Sequence, residues 1–222
     1  MQDVCGMIDF LHEKNPDQVY RLFTSIFIHA GVLQLLVTIL FQLFILRDVE
    51  KLAGFLRVSI VYVASGVIGN LGSALFLPYQ AEVGPLGSQF GIIACLFVEM
   101  FHAWDIYKRP WLVFLKLFAT LIVLFLIGFL PMIDNFANLF GFLSGLLLAA
   151  ILFPDIDMHG HVRRALVITV CISITISTVG ALVVLFYVKP FENCKWCKFV
   201  SCPFGSDYCL DMDFNITRIE SL

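Results

Sequence analysis

Apolar runs of about twenty residues, separated by short polar stretches, dominate this sequence of 222 residues. A helical run of that length matches the thickness of the hydrocarbon core of a bilayer. Hydrophobic residues make up 60% of the chain and charged residues 14%, whereas soluble domains are about half apolar and about a quarter charged. The sequence therefore predicts an all-α membrane protein, and a net charge of −3 does not favour nucleic acid binding.

The apolar runs predict six transmembrane helices. Their approximate bounds are 26–46, 56–76, 87–101, 111–130, 133–153 and 165–188. A helix start is predicted ahead of the first, at Asn15-Pro16-Asp17, from the residue types that favour helix N-termini. The third helix is the shortest and begins with glycine, which indicates a helix buried among its neighbours rather than facing lipid.

The Lys and Arg residues between the predicted helices are unevenly distributed. All seven follow the first, third or fifth helix: Arg47, Lys51, Arg57, Lys108, Arg109, Arg163 and Arg164. The positive-inside rule places these stretches in the cytosol and both ends of the chain in the lumen or outside. Because a first helix that enters from the lumen needs an earlier segment to carry its N-terminus across, we expect the native protein to have a transmembrane segment upstream.

Residues 189–222 form a cysteine-rich tail that is predicted to be lumenal. Its disulfide candidates are Cys194, Cys197, Cys202 and Cys209, which allow three pairings. A zinc site is the alternative, since Cys194 and Cys197 form a C-x-x-C, but an oxidising lumen favours disulfides. Asn215 opens a glycosylation sequon. Residues 1–25 are interpreted as a lumenal N-terminal segment and residues 26–188 as the membrane domain.

Four stretches of the sequence resemble one protein family. They are PDQVYRLFTSIFIHAG, LRDVEKLAGFLR, SGVIGNLGSALFLPYQAEVGPLGSQFGI and IDNFANLFGFLSGLLLA. They resemble the rhomboid superfamily and, more narrowly, its catalytically inactive branch, the iRhoms. The most specific motif contains Gly84, Pro85, Gly87, Ser88, Gln89 and Gly91. The resemblance covers nearly all of the chain from about Val4 to the tail, and it implies a rhomboid-like bundle of six helices with a short central helix.

Active rhomboids use a serine and a histidine inside the membrane, and the resemblance places those two positions at Leu86 and Asn138. A hydroxyl becomes a nucleophile only when a neighbouring base takes its proton. Leucine has no hydroxyl, and an amide does not act as a general base. The oxyanion-stabilising positions of the family match Gln34 and Thr38, which can donate hydrogen bonds or simply join helices. The resemblance therefore implies a rhomboid homologue without peptidase activity.

An active rhomboid intramembrane serine endopeptidase is the alternative interpretation. Ser88 is the substitute nucleophile to consider, but it lies about 200° around the helix from Leu86. His29 is the one histidine predicted at a suitable depth, and a Ser88–His29 pair would need a different geometry. Pro85 also removes a backbone donor beside the oxyanion position. No buried Asp or Glu is expected in a span, which argues against a channel or transporter, and neither cofactor nor metal is predicted.

Small residues recur at four-residue spacing on the two helices that carry the catalytic positions. They are Gly87, Gly91 and Cys95 on the third helix, and Gly141 and Gly145 on the fifth. This spacing lets two helices approach closely in lipid. We therefore predict that the scaffold is kept although the reaction is lost.

The resemblance implies partners and a location as well. Besides membrane lipid, the expected partners are single-span clients: a TACE-type metalloprotease and growth-factor precursors of the EGF type. The chain would control their trafficking, secretion or degradation in the endoplasmic reticulum or Golgi membrane, with the plasma membrane as a further location. Asn138, Gln34 and Asn70 are costly in a membrane unless paired. They are expected either to pair internally or to grip a client helix.

Overall fold

The computed structural model describes residues 19–76, 83–127, 134–153 and 161–188. The predicted helix start at Asn15-Pro16-Asp17, the four tail cysteines and Asn215 lie outside these residues. The described residues form helices, which we number α1 Tyr20–Thr24, α2 Val32–Phe41, α3 Arg47–Ala53, α4 Phe55–Phe76, α5 Leu86–His102, α6 Pro110–Ile127, α7 Asn135–Leu152 and α8 His161–Val188.

Four of the described helical segments are long and apolar enough to cross a membrane. They are Val32–Ala53, Phe55–Phe76, Asn135–Leu152 and Arg164–Tyr187. Helices α5 and α6 are apolar but shorter. The prediction of an all-helical membrane protein is thus confirmed, and the count of six spans stays a prediction.

The first span begins later and ends later than predicted. The backbone leaves the helical region at Ile28 and is extended at Gly31, so the helix starts at Val32 rather than at residue 26. It then continues through a π-helical segment, Gln42–Leu46, into α3. The charged stretch after residue 46, predicted as a loop, is therefore helical as far as Ala53, and Gly54 ends it with φ +90°. Hydropathy did not reveal this extension because charged residues form helices as readily as apolar ones.

Helices α4, α5 and α7 pack against one another at the centre of the described bundle. Helix α8 packs on α7 and α4, and α6 packs on α5. The core beside α3 contains five completely buried side chains that come from four helices: Val49, Val61, Ile92, Cys95 and Ala149. Much of α2 and α8 is exposed and apolar, as expected of helices whose outer faces meet lipid.

Candidate functional site

The backbones of α5 and α7 are in direct contact through glycine. A Cβ added to Gly141 would lie 2.8 Å from the Cα of Gly87, and one added to Gly145 would lie 2.5 Å from the Cα of Gly91. Helix α4 joins the contact, since a Cβ on Gly69 would lie 2.7 Å from a carbonyl oxygen of α7. Only glycine permits such an approach, and it fixes the spacing between the first turns of α5 and α7.

Leu86 and Asn138 lie in these first turns. Leu86 is the first residue of α5 and is partly exposed. Asn138 is 1% exposed in α7, and its Nδ2 donates a 3.4 Å hydrogen bond to Asn135 Oδ1. Its Oδ1 is buried without a partner among the described residues. A hydrocarbon and a neutral amide supply neither a nucleophile nor a base.

Ser88 is completely buried and faces α4. The Ser88 Oγ lies against Gly66. The Ile26 side chain packs against the same glycine, and its Cδ1 would lie 2.8 Å from a Cβ added to Gly66. Within the part of the chain that the structure describes, neither Ser88 Oγ nor His29 Nε2 makes a hydrogen bond. The Ser88–His29 pair considered as an alternative dyad is therefore not formed in this structure.

Gln34 and Thr38 both join α2 to the start of α5. The Oε1 of Gln34 accepts the Ala30 N–H at 2.7 Å, and its Nε2 donates to the Val83 carbonyl at 3.1 Å. Thr38 Oγ1 accepts a 3.2 Å hydrogen bond from Gln89 Nε2, and both groups are buried. Both side chains therefore form hydrogen bonds that join parts of the fold.

A short N-terminal segment, Tyr20–Phe27, covers this end of α4 and α5. Asn70 Nδ2 donates to the Leu22 carbonyl at 2.8 Å and to Ser25 Oγ at 2.7 Å. The N–H of Gly84 donates to the Ser25 carbonyl at 3.0 Å. We call Leu22, Ser25, Asn70 and Gly84 with these hydrogen bonds the latch. The latch holds Ile26 beside Ser88, so apolar packing fills the space around the serine.

Comparison with known proteins identifies the scaffold. A family model described as "Rhomboid domain" matches residues 16–155. The chain belongs to the rhomboid family. Its predicted place in the inactive branch is confirmed by relatives named "Inactive rhomboid protein 1", 52% identical in Homo sapiens and 50% in Danio rerio, covering 94% and 97% of this chain. Human "Inactive rhomboid protein 2" is 49% identical over 94% of it. The chain spans about a quarter of the length of these curated relatives.

One residue of the rhomboid bundle was missed in the sequence. Asp134 is 6% exposed; its Oδ1 accepts the Phe136 N–H at 2.7 Å, which caps α7, and its Oδ2 accepts a hydrogen bond from Ser73 Oγ. The expectation that no span carries a buried Asp or Glu was wrong, since Asp134 lies in the predicted fifth span. An Asp directly before a helical apolar pattern is an N-cap signal that could have identified it.

A second acidic residue lies in the predicted third span. Glu99 lies on the last turns of α5 and is partly buried. It stands one helical turn from His102, at the end of the helix remote from Leu86. Glu99 therefore lies far along α5 from Leu86, one of the two predicted dyad positions.

Proposed function

We propose that this chain is the membrane core of a rhomboid that binds single-span membrane proteins and regulates their trafficking, secretion or degradation instead of cleaving them. The proposal rests on one observation: the close helix contact of the scaffold is present, while the predicted dyad positions lack a nucleophile and a base. The glycine contact between α5 and α7 is tight, while the dyad positions hold Leu86 and Asn138.

The chain is a rhomboid homologue that is not an active peptidase. Its relatives are named as inactive rhomboid proteins, in agreement with the residues at 86 and 138. Ser88 does not replace the missing serine, because its hydroxyl is buried against Gly66 and has no base within the described residues. A serine-directed fluorophosphonate should leave the protein unlabelled.

Client binding is supported by what the bundle offers to another helix. Of the three polar residues predicted as contacts, Gln34 and Asn70 already use their side chains in internal hydrogen bonds. Asn138 Oδ1 has no donor among the described residues, and since the side chain is 1% exposed, a client helix would reach it only where the bundle opens. A buried acceptor without a partner costs about 1–3 kcal/mol, so a donor on a client helix that reached it would add to affinity.

The proposed membrane arrangement has six spans with both ends of the chain in the lumen of the endoplasmic reticulum or Golgi. Support comes from four long apolar helices, two shorter ones and the distribution of basic residues. Glycosylation sites inserted singly after each helix would test this topology. Use of sites placed beside Lys51 or Lys108 would contradict it.

The proposed clients are a TACE-type metalloprotease and EGF-type growth-factor precursors. The test is co-precipitation of each with the tagged protein from a mild detergent. The matched control is the same client with its transmembrane segment replaced by an unrelated apolar helix. We expect recovery of the natural client and loss of the control, whereas equal recovery of both would contradict recognition of the span.

The activity assay separates this proposal from the enzyme alternative. Wild type and Ser88→Ala are incubated with a fluorophosphonate probe and with a single-span substrate. We expect no labelling and no cleavage by either protein. Labelling of the wild type that Ser88→Ala abolishes would identify a serine peptidase and reject the proposal.

A further inference from the structure

A cavity of about 150 Å³ lies between α3 and α4, at the elbow made by Gly54. Its apolar wall includes Leu46, Phe55 and Val58, and its polar groups are those of Glu50, Ser59 and Tyr62. A cavity of about 150 Å³ holds a molecule of benzene size. The mixed lining therefore suits a small group that carries polar atoms.

Glu50 is the unusual member of this lining. It is partly buried. Its backbone carbonyl accepts the Gly54 N–H at 2.8 Å, but its carboxylate forms neither an ion pair nor a hydrogen bond with the described residues. Two cations close in sequence have other partners, since Lys51 Nζ contacts Asp48 Oδ1 at 2.8 Å and Arg57 donates to the Ala53 carbonyl at 3.2 Å. Arg47, three residues from Glu50, forms no ion pair with it among the described residues. A cationic partner would stabilise this partly buried carboxylate, and the cavity has room for one.

Tyr62 and Ser59 add acceptors to the same space. The Tyr62 hydroxyl accepts a 3.4 Å hydrogen bond from Gln42 Nε2, which lies in the π-helical segment that distorts this side of the first span. A primary ammonium has three donors. Glu50, Ser59 and Tyr62 provide three oxygen acceptors for them, whereas a trimethylated ammonium has no N–H to donate.

Outside the lining, the exposed cationic groups of Arg47, Lys51 and Arg57 outnumber the carboxylate of Asp48. Arg47 and Arg57 flank the lining residues Leu46 and Val58 in sequence, and both are exposed. An anionic group beside the ammonium would meet these guanidinium groups, which bind phosphate well. The exposed side chains of Phe55 and Ile60 offer an apolar surface for acyl chains.

We propose that this cavity binds the headgroup of an aminophospholipid of the phosphatidylethanolamine type, with the ammonium on Glu50 and the phosphate towards Arg57. The zwitterion matches the carboxylate inside and the guanidinium groups outside. The site lies at the end of the helices that carries Arg47, Lys51 and Arg57, which the positive-inside rule assigns to the cytosolic headgroup layer. This inference is independent of client binding.

The test is native mass spectrometry of the delipidated full chain titrated with phosphatidylethanolamine, and with phosphatidylcholine of the same acyl chains. We expect Glu50→Gln to weaken phosphatidylethanolamine binding about tenfold, the usual scale for losing one charge-assisted hydrogen bond. The matched control Asp48→Asn removes a carboxylate two residues away and should bind as wild type does. Ser59→Leu, which fills the cavity, should also lose binding.

Phosphatidylcholine binding as tight as that of phosphatidylethanolamine would overturn the proposal, and so would unchanged binding by a folded Glu50→Gln. If the variants fail to fold, cross-linking of the wild-type protein tests the proposal instead. A phosphatidylethanolamine with a photoreactive group near its head should cross-link within residues 46–63. Cross-links confined to other segments would reject the site.

Discussion

The Oγ of Ser88 lies against the Cα of Gly66, so closely that a methyl group on residue 66 would displace it. The serine hydroxyl is therefore turned towards α4 and packed with Ile26, while the neighbouring Gly87 meets Gly141 of α7. Ser88 and Gly87 of α5 therefore contact their neighbours by different means. The Ser88 side chain touches α4, whereas the backbone of Gly87 lies close to both α7 and the glycines of α4.

These contacts predict that alanine substitutions at Gly141 and Gly66 lower stability by different amounts. Gly141→Ala places a Cβ against the backbone of Gly87, which has no side chain to move aside, so a loss of about 1–3 kcal/mol or more is expected. Gly66→Ala should cost less, because the Ser88 hydroxyl and the Ile26 side chain can rotate. Thermal unfolding in detergent measures both.

Gly180→Ala on α8 is the control for that series. A Cβ there has nothing within 4 Å, and alanine favours a helix over glycine by about 1 kcal/mol. This variant should be as stable as wild type or more so. A Gly141→Ala protein that matched it would show that α5 and α7 are not in contact as described.

Asn70 is predicted to hold the N-terminal segment in place. Asn70→Leu removes the two donors of the latch and leaves the Leu22 carbonyl and Ser25 Oγ without them, at a cost of about 1–3 kcal/mol. Hydrogen exchange over Tyr20–Phe27 should then accelerate. Thr120→Ala, which removes only an exposed hydrogen bond within its own helix, is the control, and equal exchange in both variants would contradict the latch.

Gly84 is predicted to tolerate no side chain. Its φ is +117° and a Cβ would meet the Gln34 amide, so Gly84→Ala combines backbone strain of about 1 kcal/mol or more with displacement of Gln34. Gly31→Ala is the matched control, since that residue is extended, with φ −178°, and has open space around it. Thermal unfolding should separate the two variants, and similar melting temperatures would contradict the strained conformation.

Asp134 is predicted to be the N-cap that α7 requires. Asp134→Ala loses the acceptor for the Phe136 N–H and leaves Ser73 Oγ without its acceptor, which should cost about 0.5–2 kcal/mol through the cap alone. Asp134→Asn keeps a side-chain oxygen and caps about as well, so it should recover most of the loss. Denaturation of the two variants in parallel is the measurement. Equal losses would mean that charge, rather than capping, matters at this residue.

The sequence predicted helix bounds well where a backbone break coincides with the end of an apolar run. Helix α4 was expected at 56–76 and spans Phe55–Phe76, and α5 was expected at 87–101 and spans Leu86–His102. Gly54 and the Gly84-Pro85 pair mark both starts. The first span failed this test, because the residues near Ile28 are apolar but not helical. Hydropathy reports which residues avoid water and carries no information on φ and ψ.

The contacts of the candidate site were harder to predict from the sequence than the helices of the fold. The spacing of Gly141 and Gly145 predicted a close contact, yet it could not show that Gly66 and Gly69 of α4 share it. The hydrogen bonds of Asn70 join residues more than forty positions apart, and no local pattern encodes such a pairing. Asp134 carried a local N-cap signal, but its hydrogen bond with Ser73 of another helix could not be predicted from local sequence.

The contact between Gly87 and Gly141 has a consequence for how such a protein diverges from an enzyme. The close approach of the two helices depends on Gly87 and Gly141, which lie one and three residues from positions 86 and 138, and not on the side chains at those positions. We therefore expect that substitutions at 86 and 138, which the resemblance assigns to the dyad, can abolish a reaction and leave this helix contact in place. An ancestor could lose proteolysis in a single substitution and still pass on an intact membrane bundle for selection to adapt to another use.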